Sequence, residues 1–153
     1  MTPPGHVDIN YLRFRVKVHE LYERGLDNVE ISERTGISTV NVRRYLKLVK
    51  PIIPPESCNH AWRDEAACKA YDSEMFFPTA TGVKNIQLKE KAFEICASCP
   101  VIDKCREAAL NNYENHGVWA GEDFGRYNYS FDESTGKVSI SVRGMRGAFK
   151  KIC

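Results

Sequence analysis

Apolar residues recur at three- and four-residue spacing near the start of the chain, at Leu12, Val16, Val18, Leu21 and Tyr22, with His19 on the same face. That period predicts an amphipathic helix, and Gly25 follows its last turn as a stop signal. A second, shorter helix is expected over residues 28–35, with Val29 and Ile31 as its apolar positions. Gly36-Ile37-Ser38 reads as a turn, and Ser38 or Thr39 as the cap of a third helix over residues 39–50. Val42, Tyr45, Leu46 and Val49 give that helix its buried face.

Helix, helix, glycine turn, helix is the plan of a helix-turn-helix. Ser32 is small enough for a close helix crossing, and Gly36 can take the left-handed conformation the turn needs. The third helix shows Thr39, Asn41, Arg43, Arg44 and Lys47 outward, and residues 40–50 carry four basic side chains and no acidic one. Arg and Asn are the side chains that read base edges, while Lys meets phosphate, so this face is a candidate DNA reader. An ordinary three-helix bundle with a solvated basic face is the competing reading. The segment resembles the helix-turn-helix units of bacterial regulators in Gly36 and its hydrophobic spacing.

Pro51-Ile-Ile-Pro54-Pro55 cannot continue a helix, because proline lacks the N–H and clashes with the preceding turn. Residues 51–59 are therefore a linker. Beyond it a helix is expected over residues 63–71, carrying Cys68, followed by the apolar knuckle Met75-Phe76-Phe77-Pro78. Residues 79–84 read as a loop and residues 86–96 as a helix. Pro100 opens a further helix over residues 101–113, a position where its missing N–H costs nothing. Gly117-Val-Trp119-Ala-Gly121 is a tight glycine-rich turn. Tyr127, Tyr129 and Phe131, then Val138, Ile140 and Val142, alternate with polar residues on either side of Asp132-Glu-Ser-Thr-Gly136, which predicts a β-hairpin. The segment 143–153 has basic side chains, among them Arg143, Arg146, Lys150 and Lys151, and no acidic one.

Composition adds only bounds. The chain has 153 residues, 42% hydrophobic and 27% charged, with a net charge of +2, so any nucleic-acid signal lies in local clusters. No apolar run approaches the roughly 20 residues of a membrane span. The first residues lack the basic and apolar regions of a signal peptide, so a cytoplasmic protein is expected. In a reducing compartment six cysteines are more readily ligands than a disulfide framework, although their even count keeps a secreted disulfide-rich domain as an alternative.

Four of the six form a group. Cys68 ends Trp62-Arg-Asp-Glu-Ala-Ala-Cys68, and three more stand in Cys96-Ala-Ser-Cys99-Pro-Val-Ile-Asp-Lys-Cys105. Thiolates are soft ligands, which suits zinc or an iron–sulfur cluster. Structural zinc sites usually pair two C-x-x-C-type knuckles, and here there is one. A cluster is wider than one ion and accepts ligands from several helices. A redox-active C-x-x-C pair is the third reading, with no βαβ pattern to support it. Spacing leaves these open. Cys58 and Cys153 are surplus.

The motifs Trp62-x5-Cys68, Glu74-Met-Phe76-Phe77-Pro78, Cys96-x-x-Cys99-Pro-Val-x-x-x-Cys105 and Gly117-Val-Trp119-x-Gly121 occur in one order over residues 60–126. They resemble the WhiB-like family of actinobacterial and phage regulators. The resemblance implies a four-iron, four-sulfur cluster on Cys68, Cys96, Cys99 and Cys105. It also implies the C-terminal region of the principal sigma factor as a partner, met by Trp62, Phe76, Phe77 and Trp119, and promoter DNA contacted by a basic tail. The family turn has two glycines after its tryptophan; here the first is Ala120. The helix-turn-helix and linker lie outside the family pattern.

The expected architecture is mainly α. It comprises a lead-in (1–10), a helix-turn-helix (11–50), a Pro-rich linker (51–59), a small helical four-cysteine iron–sulfur domain (60–126), a short β-hairpin (127–142) and a basic tail (143–153). The expected function is transcription regulation, not catalysis. A protein disulfide reductase using Cys96 and Cys99, and a zinc-stabilised DNA-binding module, are the competing functions.

Overall fold

The computed structural model describes residues 7–55 and 59–143. Cys58, Arg146, Lys150, Lys151 and Cys153 lie outside the described residues. Among those described, the chain is mostly helical, with five α-helices and two small antiparallel hairpins. It divides into two compact units, residues 1–54 with 129–139, and residues 55–128 with 140–153.

The first unit holds α1 (Ile9–Glu23), α2 (Asn28–Thr35) and α3 (Thr39–Lys47). Each starts on a side-chain cap. Asp8 accepts from the N–H groups of Asn10 and Tyr11, and Ser38 accepts from that of Asn41. Asp27 and Glu30 form a reciprocal capping box, which satisfies orphan amide groups at both of its ends. Gly36 ends α2 in the left-handed conformation, φ 72°, as its place in the turn requires. The first helix begins at Ile9, inside the expected lead-in. The third stops at Lys47 rather than residue 50, and Val49, expected in the core, is 40% exposed.

Val18, Leu21, Ile31, Val42 and Tyr45 form the core, with Ile37 packed against it. Val29 is exposed, because α2 turns only Ile31 inward. The largest fully buried side chain here was not expected to be buried at all. Arg15 is fully enclosed. Its Nη1 donates to both Glu133 carboxylate oxygens at 2.9 and 3.0 Å, and its Nη2 donates to the Val49 carbonyl at 2.6 Å. Its guanidinium also lies near the rings of Tyr11 and Phe131. A buried cation needs such partners, since desolvating an unpaired charge is prohibitive.

Glu133 and Phe131 come from the hairpin of β3 (Tyr127–Asp132) and β4 (Lys137–Val142), on the turn segment that belongs to this unit. The same segment meets the end of the helical stretch at Gly136. Its carbonyl accepts from the Ile52 N–H at 2.6 Å, and a Cβ at Gly136 would fall 2.5 Å from the Lys50 oxygen. Only glycine permits that approach.

The second unit is irregular at its start. Where a helix over 63–71 was expected, there are two short 3-10 turns, Ala61–Glu65 and Ala67–Ala70, neither capped by a side chain. A third, Ser73–Met75, leads into the Phe76–Phe77 knuckle. Helix α4 (Gly82–Ala97) starts within the expected loop. α5 (Ile102–Asn111) begins two residues after Pro100, which lies just outside it. The chain then forms a small hairpin of β1 (Val118–Trp119) and β2 (Glu122–Asp123).

Candidate metal centre

Helix α4 ends at the first thiol of the C-x-x-C pair. Cys96 and Ala92 are buried on the face that packs with Phe76 and Val118, so the helix core fixes where this sulfur sits. Cys99 follows in the turn after the helix, where its N–H donates to the Cys96 carbonyl at 3.0 Å. Cys105 stands in the first turn of α5. Cys68 comes from the second 3-10 turn. All four line one cavity of about 340 Å³, lined elsewhere largely by apolar groups including Trp62, Phe76, Val101 and Val118. All four are free thiols. Among the described residues, no group of three or more His, Cys, Asp or Glu side chains is arranged to hold a single metal ion.

The second wall of the cavity is the β1–β2 turn. Trp119 pairs with Glu122, which leaves Ala120 and Gly121 as a two-residue loop with φ of 49° and 74°. Two successive positive φ angles are what the favoured two-residue hairpin turn requires. The conformation suits Gly121 and strains Ala120, whose Cβ crowds its own backbone there. Its result is that the loop backbone packs against the thiol-lined cavity. Ala120 lines the cavity, and a Cβ at Gly121 would fall 3.5 Å from that of Cys96.

Burial pushes the thiols of Cys68, Cys96 and Cys105 up from their ordinary value. At Cys68 the Cys99 thiol adds to this; at Cys96 and Cys105 the loop amides oppose it. Cys68 is exposed as a residue, but its sulfur faces the apolar cavity, which explains the upward shift.

The turn itself is braced from several sides. Lys89 of α4 pairs with Asp123 at 2.9 Å, and Arg106 of α5 pairs with Glu122. The Tyr127 hydroxyl donates to the other Glu122 oxygen at 2.5 Å; burial and that bond push its pKa up to about 12. Gly117, φ 82°, precedes the hairpin, and a Cβ there would fall 2.4 Å from the Phe77 ring. The Val118 N–H donates to the Phe76 carbonyl at 2.7 Å, which ties turn and knuckle together.

Phe77 and Trp119 meet edge to face, with centroids 5.5 Å apart, and the indole N–H donates to the His116 carbonyl. Both rings keep some exposure, whereas Phe76 is 5% exposed and belongs to the core. Trp62 is half-buried and faces the cavity, with Arg63 over its ring. Among the residues with partner contact expected, Phe77 and Trp119 thus form a pair, and Phe76 stands behind them as packing.

The expected DNA-contact residues fall in two groups. On α3, Arg43, Arg44 and Lys47 are exposed, while Thr39 and Asn41 are half-buried. Of the tail, only Arg143 is described; it is exposed, and its N–H donates to the Arg126 carbonyl at 2.8 Å. Sequence reasoning overlooked two residues of this face and its support. One is Val40, 70% exposed on the first turn of α3, and the other is Arg15.

Residues 62–125 match a protein-family model described as Transcription factor WhiB. Over 60 residues it is 42% identical to transcriptional regulator WhiB1 of Bifidobacterium longum, spanning 39% of this chain and 65% of that protein. Over 62 residues it is 40% identical to the redox- and pH-responsive transcriptional regulator WhiB3 of Mycobacterium tuberculosis, spanning 39% and 61%. Over 69 residues it is 38% identical to transcriptional regulator WhiB2 of the same organism, spanning 45% and 71%. The chain belongs to the WhiB family. It spans less than two thirds of the first two of these relatives. No helix among the described residues is long and apolar enough to cross a membrane.

Proposed function

We propose that this WhiB-family chain is a cytoplasmic, non-enzymatic DNA-binding regulator that holds a four-iron, four-sulfur cluster on Cys68, Cys96, Cys99 and Cys105. The observation that carries the reading is the set of four free thiols around one apolar cavity, with the Ala120–Gly121 loop packed against it. The donor set fits the group. Thiolates are its usual ligands, and N–H donors to sulfur are a recognised means of setting its potential. Burial holds three of these thiols in their neutral form, so loading must release protons, as thiolate ligation requires. When bound, the cluster supplies one-electron chemistry and a covalent link between segments otherwise joined by short turns.

The remaining roles follow from position. The α1–α3 unit is a helix-turn-helix domain, with α3 in the major groove of DNA. Arg143, Arg146, Lys150 and Lys151 contact phosphate or a minor groove. Phe77 and Trp119, held edge to face beside Trp62 and the buried Phe76, present the surface that binds the C-terminal region of the principal sigma factor. A few aromatic anchors dominate most interfaces.

Iron and sulfide assays on anaerobically purified single Cys→Ser variants test the ligand set. Loading should be lost at residues 68, 96, 99 and 105 and kept at residues 58 and 153; full loading of Cys96→Ser would remove the assignment. For the partner, Trp119→Ala should keep the cluster absorbance and lose about 2 kcal/mol or more of affinity for the sigma region. Unchanged co-purification of the Trp119→Ala, Phe77→Ala double variant would exclude this surface.

A further inference from the structure

The outward stripe of α3 is not the set of polar residues its sequence suggests. Val42 and Tyr45 face the core, with exposures of 0% and 9%. The residues opposite them are Val40, Arg43, Arg44 and Lys47, spaced as one helix face is spaced. The three cations are exposed, and Arg44 is aligned by the Tyr45 ring, 5.3 Å from its centroid. Lys50, beyond the end of the helix, is engaged by Glu23 at 2.9 Å. No acidic side chain lies on α3, so the face complements a polyanion.

Val40 leads this face. It is 70% exposed, on the first turn and next to the Ser38 cap. A β-branched residue there buries nothing and is a weaker helix former than the straight-chain polar residues. In a helix-turn-helix the first residues of the second helix are those that reach base edges. Among base edges in the major groove, an apolar side chain has one complement, the C5-methyl group of thymine.

We infer that Val40 is a specificity-determining residue that reads a thymine methyl group, with Arg43 and Arg44 at the neighbouring base pairs and Lys47 on the phosphate backbone. The inference rests on the helix-turn-helix reading of this unit given above. Ser38 fixes the start of α3 through its bond to the Asn41 N–H, so the side chain of Val40 is presented from a capped turn.

The test uses the full chain and a duplex enriched by it from a random pool. Each thymine of that duplex is replaced in turn by deoxyuridine, which lacks only the methyl group. Replacement of one thymine per bound α3 should weaken wild-type binding about fourfold, the worth of one buried methyl-sized group. The same replacement should not affect Val40→Ala, and Val40→Thr, which keeps a methyl group, should retain the sensitivity. Both variants lie on an exposed position and should fold normally, and both should bind scrambled DNA as the wild type does. If a sequence is enriched but no thymine shows this coupling to Val40, the inference is overturned while the reading of α3 stands. If no sequence is enriched and Arg43→Ala binds as the wild type does, the helix-turn-helix reading falls and takes the inference with it.

Discussion

The two units of the chain are held together by different means. The first is an ordinary packed core, built from Val18, Leu21, Ile31, Val42 and Tyr45 on three capped helices. The second buries Phe76, Ala92, Cys96, Val101, Ala109, Val118 and Phe124, and its entry is a run of 3-10 turns around a thiol-lined cavity. Two of those turns lack any side-chain cap. The difference teaches where the stability of each lies. One unit draws on hydrophobic burial and helix capping; on the proposed reading the other also draws on a group held by its four thiols.

The largest effect should come from removing that group. Cys96→Ser or Cys105→Ser should unfold residues 62–125, because ligand binding and folding are one equilibrium in small metal domains. Circular dichroism should show the helical signal of α1–α3 surviving. Survival of the whole signal would mean the second unit is self-sufficient, and the contrast would fail.

The next effect sharpens the contrast from the other side, since one charge in the first unit is not held by apolar packing. Glu133→Ala leaves the enclosed Arg15 guanidinium with the Val49 carbonyl as its remaining acceptor. The expected loss is about 3 kcal/mol, the low end for orphaning a buried charge, because Glu133 itself is 57% exposed. Urea unfolding followed by helical signal measures it. A change below about 0.5 kcal/mol would make the pair an ordinary surface ion pair.

The smallest effect concerns the loop that faces the thiols. Ala120→Gly relieves the left-handed strain at φ 49° while loosening the unfolded chain and losing a buried methyl group. The net should be a gain of about 0.5 kcal/mol in the loaded protein. A clear loss would mean that the Ala120 methyl packs better than its backbone is strained.

These differences also explain what the sequence made legible. Periodicity found α1, α2 and α3 and the caps at Ser38 and Gly36, because those helices follow their own hydrophobic pattern. It found the Tyr127–Val142 hairpin for the same reason. It failed over residues 61–70, where two short 3-10 turns take the place of the expected helix and bring Trp62 and Cys68 to the cavity. Arg15 was invisible as a core residue, since its carboxylate partner lies 118 positions away. Val40 was passed over on a face judged by its polar residues. The four thiols and their neighbouring motifs were legible as a set, but not the loop that packs against them, since its path depends on the positive φ at Ala120 and Gly121.

Hydrogen exchange on one anaerobic sample, before and after iron is removed by a chelator, tests the account most directly. The expected result is slow exchange throughout in the loaded protein and, after iron removal, loss of protection over residues 62–125 with protection kept over residues 9–47. Unchanged protection across residues 62–125 would contradict the claim that this unit is built around a group held by Cys68, Cys96, Cys99 and Cys105.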